Sequence, residues 1–296
     1  MHGHGPTGIN LESWRISSMK TQAFSNPQIL PAVLVICLLV VLGACTRDSP
    51  VIETTDRDQA PSRPPDLSRV PDAVPKKEPR SRYGNPPFYE VFGKRYFTLS
   101  SSLNYVEKGI ASWYGTKFHG RRTSSGEPYD MYGMTAAHKT LPLPTYARVS
   151  NLRNGRSVVL RINDRGPFHE NRIIDLSYAA ATRLGIIREG TGLVKVEAID
   201  TSTSPAAPDT VAASPLPDDP SMFLQVGAFS QPENAERLRT RLQEEKLSPV
   251  NIVEGESDNG HWYRVRIGPI PSVGEIDRIS ASLAHLGIGE SHVVID

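Results

Sequence analysis

The chain reads as two small folded bodies strung on disordered tethers: a mainly β domain closing into a small barrel, then a compact α+β domain of βαββαβ order. Three observations lead there. Thr46 to Arg82 and Thr201 to Pro220 are rich in proline, charge and small polar residues and hold no aromatic, so neither can bury enough apolar surface to fold. Between them runs a series of short β-type segments with room for a single helix. After the second tether, strand and helix signals occur twice in the same order. The boundaries that follow are 1–44, 45–82, 83–200, 201–220 and 221–296.

Ahead of the first tether, Ile29 to Leu42 is almost purely apolar, preceded by Arg15 and Lys20 and closed by small residues, which is the pattern of an export signal. Met19 makes a more ordinary signal start than Met1. The run falls short of the roughly 20 residues that a membrane span needs. Leu42-Gly43-Ala44-Cys45 resembles the lipobox of bacterial lipoproteins, which implies that Cys45 is lipidated and anchors the mature chain to a membrane. Thr46, standing where an aspartate would, resembles the outer-membrane sorting pattern. An uncleaved signal-anchor helix is the competing reading. The other cysteine, Cys37, leaves with the signal, so the exported bodies have no disulfide and no thiolate metal site. No metal or cofactor is expected. A net charge of +1 argues against nucleic acid as a partner.

The first body opens with a hairpin, Tyr89 to Tyr96, turning at Gly93. Strand signals follow at Gly109 to Tyr114, Met134 to Ala137, Tyr146 to Asn151, Ser157 to Asn163 and Leu193 to Ile199, with Asn154-Gly155 as a tight turn. One helix is predicted from its cap Ser177 to Leu184, stopped by Gly185.

Two stretches set carboxylates among turn residues at the margins of these strands: Gly126-Glu127-Pro128-Tyr129-Asp130, with His138 behind it, and Asn163-Asp164-Arg165-Gly166-Pro167-Phe168, with Ile173-Ile174-Asp175-Leu176 following. Cleaving a glycosidic bond requires a proton for the leaving oxygen and stabilisation of an oxocarbenium-like transition state, so a carboxyl group of raised pKa beside a second polar group suits the task. Glu127 and Asp164 supply the two. By residue type alone, Asp164 also fits an Asx-type turn, Asp175 the satisfaction of backbone groups at a strand end, and His138 a paired core residue. Tyr114, Trp113 and Tyr129 offer aromatic faces to sugar rings, although Trp113 suits the core of a small barrel better.

Ala111-Ser112-Trp113-Tyr114-Gly115, Phe118-His119-Gly120-Arg121-Arg122-Thr123 and Thr135-Ala136-Ala137-His138-Lys139-Thr140-Leu141-Pro142, together with the two carboxylate stretches, closely resemble the rare lipoprotein A family over the whole first domain. The resemblance implies a double-psi β-barrel, a fold shared with expansins, and lytic transglycosylase activity on peptidoglycan with no cofactor. In such chemistry the C6 hydroxyl of muramic acid replaces water and leaves a 1,6-anhydro sugar, so one carboxyl acts as acid and then as base. Likeness to other glycan enzymes of this fold makes Asp164 the general acid. Glu127 would orient substrate or stabilise charge, His138 would hydrogen-bond within the cleft, and Arg165, Tyr114 and Tyr129 would contact substrate.

In the second body, Val226-Gly227-Ala228-Phe229-Ser230 leads into Pro232-Glu233, and Ile267-Gly268-Pro269-Ile270-Pro271-Ser272 into Glu275: twice a strand, a glycine turn, a serine cap and a capping-box glutamate. The helices that follow place Ala235, Leu238, Leu242 and Ile276, Ile279, Leu283, Leu286 on one face each. With strands near Val250 to Glu254 and His292 to Ile295, both helices cover one side of a four-stranded sheet. Alternation leaves Phe223, Gln225, Trp262, Arg264 and Arg266 on the free side. An RNA-binding sheet has the same topology, but an exported protein meets little RNA. Leu224 to Phe229 and Trp262 to Pro269 resemble the SPOR domain, which implies binding to glycan stripped of stem peptides at the division septum, with Gln225, Trp262 and Arg264 as contacts.

Together these point to a periplasmic, lipid-anchored enzyme that works on denuded glycan strands at the septum in the company of division-site proteins. An expansin-like protein that binds or loosens the wall without cleaving it is the alternative, and a simple hydrolase a third. A tether of roughly 40 residues spans about 35 Å on average, which lets an anchored domain sample nearby wall.

Overall fold

The computed structural model describes residues 58–202, 220–257 and 260–296; the export signal, Met19, Cys45 and residues 203–219 of the second tether lie outside the described residues. The hairpin comes first, as β1 (Phe88–Val91) and β2 (Lys94–Phe97), turning through Phe92 and Gly93. Six strands then close a barrel: β3 (Val106–Tyr114), β4 (Thr135–His138), β5 (Thr145–Asn151), β6 (Ser157–Asp164), β7 (Arg172–Ser177) and β8 (Gly192–Ala198). Their order around the wall is β3-β7-β4-β6-β5-β8, with β3/β7 and β4/β6 parallel and the other neighbours antiparallel. Ala111, Leu160, Ile162, Ile174, Leu176, Val194 and Val196 are fully buried in its core. Strand β7 was not among the expected strands. It is short and carries an aspartate at its centre, a residue that strands disfavour, and it forms because it is paired on both sides, with β3 and β4.

Helix α1 (Tyr178–Leu184) has the ends its sequence calls for. Ser177 Oγ accepts from the Ala180 N–H, and Gly185 closes the helix at φ 74°.

The stretch expected to be a free tether up to Arg82 is different from Asp58 onward, because it lies along the barrel. Leu67 is 5% exposed within the barrel core, and Val70 and Ala73 pack beside it. Asp72 accepts from the Val159 N–H at 3.0 Å and pairs with Arg183 at 3.3 Å, and the Ser81 N–H donates to Leu143 O at 2.8 Å. Composition correctly denies this segment a core of its own; the segment uses the barrel's, which composition cannot show.

The second body is β9 (Met222–Phe229), α2 (Pro232–Glu244), β10 (Val250–Ser257), β11 (Gly260–Ile270), α3 (Val273–His285) and β12 (His292–Ile295), with sheet order β10-β11-β9-β12 and every pair antiparallel. Ala235, Leu242, Ile276, Ile279 and Leu283 from the helices are buried in one cluster with Leu224, Val265 and Ile267 of the sheet. Ser272 caps α3, accepting from the Glu275 N–H at 3.2 Å. The expected Ser230 cap of α2 is not formed: Gln231 holds the cap position without a side-chain bond, and Pro232 in the first turn removes a donor that would need one.

Candidate active site and glycan-binding face

The loop between β3 and β4 lays Glu127 against the end of β6. The Thr123 N–H donates to Glu127 O at 2.8 Å and the Gly126 N–H to Thr123 O at 2.9 Å, a tight turn that places Gly126 at φ 94°, where a side chain would be strained. The Ser125 N–H donates to Asn163 O at 3.3 Å and docks the loop on the strand. Glu127 Oε2 then accepts from Arg161 Nη1 at 2.8 Å and Asn163 Nδ2 at 2.9 Å. Burial pushes the Glu127 pKa up, but the bonds from Arg161 and Asn163 and the Arg161 charge outweigh it and hold the carboxyl below the usual range. Glu127 is therefore ionised at neutral pH.

Asp164 follows Asn163 at the end of β6. Its Oδ1 accepts from the Ser124 N–H at 2.7 Å, Ser124 Oγ at 2.6 Å and the Arg165 N–H at 2.7 Å. None of these bonds engages Oδ2. One oxygen thus forms the turn and ties the two loops together.

The remaining sequence candidates sit differently from expectation. His138 is 2% exposed and sealed in the barrel wall instead of lining a cleft. Its Nδ1 accepts from the Thr140 and Leu141 N–H groups at 3.2 and 3.1 Å, so Nε2 carries the hydrogen and donates to Tyr105 Oη at 2.9 Å. Burial, with Arg165 and Lys139 nearby, pulls its pKa down to about 3, and the ring is neutral. Tyr114 and Tyr129, expected as a sugar platform, are 8% and 3% exposed and stacked on each other at 4.0 Å between centroids. They are core because the Glu127 loop folds back over β3, and Tyr129 Oη donates to Tyr114 O at 2.5 Å. Arg165, expected to contact substrate, donates to Gly84 O, His138 O and Leu141 O at 2.9, 3.1 and 2.5 Å and so closes the loops beneath Asp164.

Asp175 is the group that residue type undervalued. Instead of satisfying a strand end, it accepts from Ser112 Oγ across β3. Burial raises its pKa, against the Ser112 bond and the charges of Arg172, Lys139 and His169. Ala137 pairs with Asp164 on one side and Asp175 on the other, so the two carboxyls lie in one row across three strands, about 10 Å apart at Cα. Burial and a partner 63 residues away decide its state, and neither is a local signal. Among the described residues, no group of three His, Cys, Asp or Glu is placed to hold a metal ion.

On the second body the uncovered side of the sheet presents Trp262 and Arg264. The Arg264 guanidinium lies 3.9 Å from the Trp262 ring centroid, a cation–π stack. Gly255 is opposite Trp262 in register, and a Cβ there would come within 1.9 Å of the indole, so the ring lies across bare backbone. Arg266 pairs with Asp296 at 2.9 Å. Gln225, expected as a contact, is 8% exposed between its register neighbours Arg266 and His292, which leaves Trp262 and Arg264 as the accessible pair.

A family model described as lytic transglycolase matches residues 106–197, and the SPOR domain model matches residues 219–295. The six-stranded barrel is a double-psi β-barrel. Among curated proteins, "Endolytic peptidoglycan transglycosylase RlpA" of Pseudomonas aeruginosa (strain UCBPP-PA14) is 39% identical over 332 residues, covering 90% of this chain and 96% of its own. The protein of the same name from Vibrio cholerae serotype O1 is 42% identical over 238 residues, covering 80% and 86%. Among solved structures, the RlpA SPOR domain from Pseudomonas aeruginosa is 36% identical with a TM-score of 0.24, covering 25% of this chain and 96% of that one. A barrel with loop-borne carboxylates, a SPOR domain behind it, and this identity along nearly the full length of its relatives make the chain a member of the RlpA family.

Proposed function

We propose that the barrel is an endolytic lytic transglycosylase that cleaves MurNAc-GlcNAc bonds of peptidoglycan strands stripped of stem peptides and leaves 1,6-anhydromuramic ends. The observation that carries this reading is the pair of carboxyls at the end of β6. Glu127 is held ionised by Arg161 and Asn163, whereas Asp164 spends one oxygen on its loops and keeps the other uncommitted. Asp164 protonates the leaving oxygen as the C1–O bond breaks. It then takes the proton of the C6 hydroxyl as that oxygen closes on C1, which returns Asp164 to its starting state. Glu127 contributes fixed negative charge beside the oxocarbenium-like transition state and transfers no proton. His138 acts by position, holding the turn whose carbonyls receive Arg165.

The SPOR sheet retains denuded strands through Trp262 and Arg264, the latter pairing with lactyl carboxylates, and concentrates the protein at the septum. Lipid at Cys45 anchors it to the outer membrane from the periplasmic side. A second assignment of the acid has one observation behind it: Asp175, in the same row as Asp164, is the carboxyl whose pKa is raised.

The test is incubation of lipid-free protein with amidase-treated sacculi and mass spectrometry of what is released. Anhydromuramyl ends are expected; reducing ends would make it a hydrolase, and no release a binder of the expansin type. Asp164→Asn is expected to lower release about a thousandfold and Asp175→Asn far less. The reverse order would move the acid to Asp175.

A further inference from the structure

The segment between the lipid anchor and the barrel reaches the site itself. Arg161, which holds Glu127, is gripped from its other side by Glu78: Nη2 donates to Glu78 Oε2 at 2.9 Å and Nε to Glu78 Oε1 at 3.3 Å, while Nη1 donates to Glu127 Oε2 at 2.8 Å. The Tyr146 hydroxyl also donates to Glu78 Oε1. The guanidinium is thus held in a bidentate fork along one edge, and its remaining corner meets the site carboxylate. Glu78 does not hang free. Upstream, Asp72 is tied to Val159 and Arg183; downstream, Ser81 is bonded to Leu143, and the Asn85 side chain both donates to Leu143 O and accepts from the Leu143 N–H at 2.8 Å.

We propose that Glu78 is a positioning residue for the reaction, fixing the Arg161 guanidinium against which Glu127 is set, so that the segment from Asp58 to Arg82 is a working part of the site as well as the link to the anchor. The contact stands without the transglycosylase reading; only its consequence for turnover rests on that reading. Without a second grip a long arginine keeps its rotamer freedom, and a pair with the half-exposed Glu127 alone is too weak to fix it. The charged and titratable groups facing Glu127 are Arg161 and Glu78; those facing Glu78 are Arg161, Tyr146 and Lys76, the last at 3.8 Å.

If Glu78 fixes Arg161, neutralising it loosens the guanidinium and deprives Glu127 of the bond and charge that hold its pKa low, so that pKa rises; removing the Glu78 charge with Arg161 still fixed would lower it instead. The decisive variant is the near-isosteric Glu78→Gln in the mature chain, its melting curve recorded beside wild type. NMR titration of the Glu127 side-chain carboxyl is expected to move to higher pH. Release of anhydromuramyl product is expected to show kcat lowered about tenfold with KM within about twofold of wild type. A titration that is unmoved or moves to lower pH overturns the proposal whether or not the protein cleaves glycan. A moved titration with unchanged kcat in an active enzyme overturns the positioning role. If wild type cleaves nothing, the proposed function fails, and the titration still decides whether Glu78 governs the setting of Glu127.

Discussion

Arg161 lies between Glu78 and Glu127, and the pKa of each carboxyl is held low despite burial because the guanidinium is shared. Glu127→Gln keeps the shape and removes the charge, and we expect release of anhydromuramyl product to fall about a hundredfold or more. The buried His138 gives a second test. Its folded pKa of about 3 lies below the ordinary value of about 6.5, so between these pH values the unfolded chain binds a proton that the folded one refuses. The stability owed to the neutral ring is complete above pH ~6.5 and is lost as pH falls towards 3, at about 1.4 kcal/mol per pH unit. Urea unfolding at a series of pH values, compared with His138→Gln, should show this extra slope in wild type alone. An equal slope in both would place the ring in water.

At the scale of the element, strand ends and helix ends do the positioning. Strand β6 delivers Arg161, Asn163 and Asp164 within four residues, and alternation sends Arg161 and Asn163 to one face, where both meet Glu127. Helix α1 backs this region through Ser177, which accepts from Ala180 and donates to Gly133 O at 2.7 Å. Its other end depends on Gly185 at φ 74°, and a Cβ there would also come within 3.1 Å of Arg156. Gly185→Ala should therefore cost about 1–2 kcal/mol, read as a lower urea midpoint at unchanged slope.

For the molecule as a whole, the segment from Asp58 to Arg82 belongs to the folded barrel body, where composition predicts a free tether. Leu67 packs in the barrel core, so Leu67→Ala should destabilise the barrel by about 2–4 kcal/mol by urea unfolding, a loss that a free tether would not register. At the other end of the chain, Arg264→Ala is expected to weaken binding to denuded sacculi severalfold in a pull-down while leaving barrel cleavage of short soluble glycan unchanged. Undiminished binding would remove the Trp262–Arg264 pair from the recognition surface.

Local chemistry made much of this protein legible in advance. Strand and turn signals located the hairpin at Gly93 and the strands around Ala111, Val149 and Leu160, and the Ser177 and Gly185 pair bounded the helix, because these signals lie within a few residues of what they specify. The motifs around Glu127 and Asp164 identified the family from residue identity alone. Tertiary structure decided the rest: that Tyr114 and Tyr129 stack in the core, that His138 is sealed in the wall, that Asp175 is pushed toward its protonated form, and that Glu78, 83 residues before Arg161, reaches it. Desolvation and ion pairing depend on which distant segments meet in a low-dielectric place, and a linear pattern does not encode that.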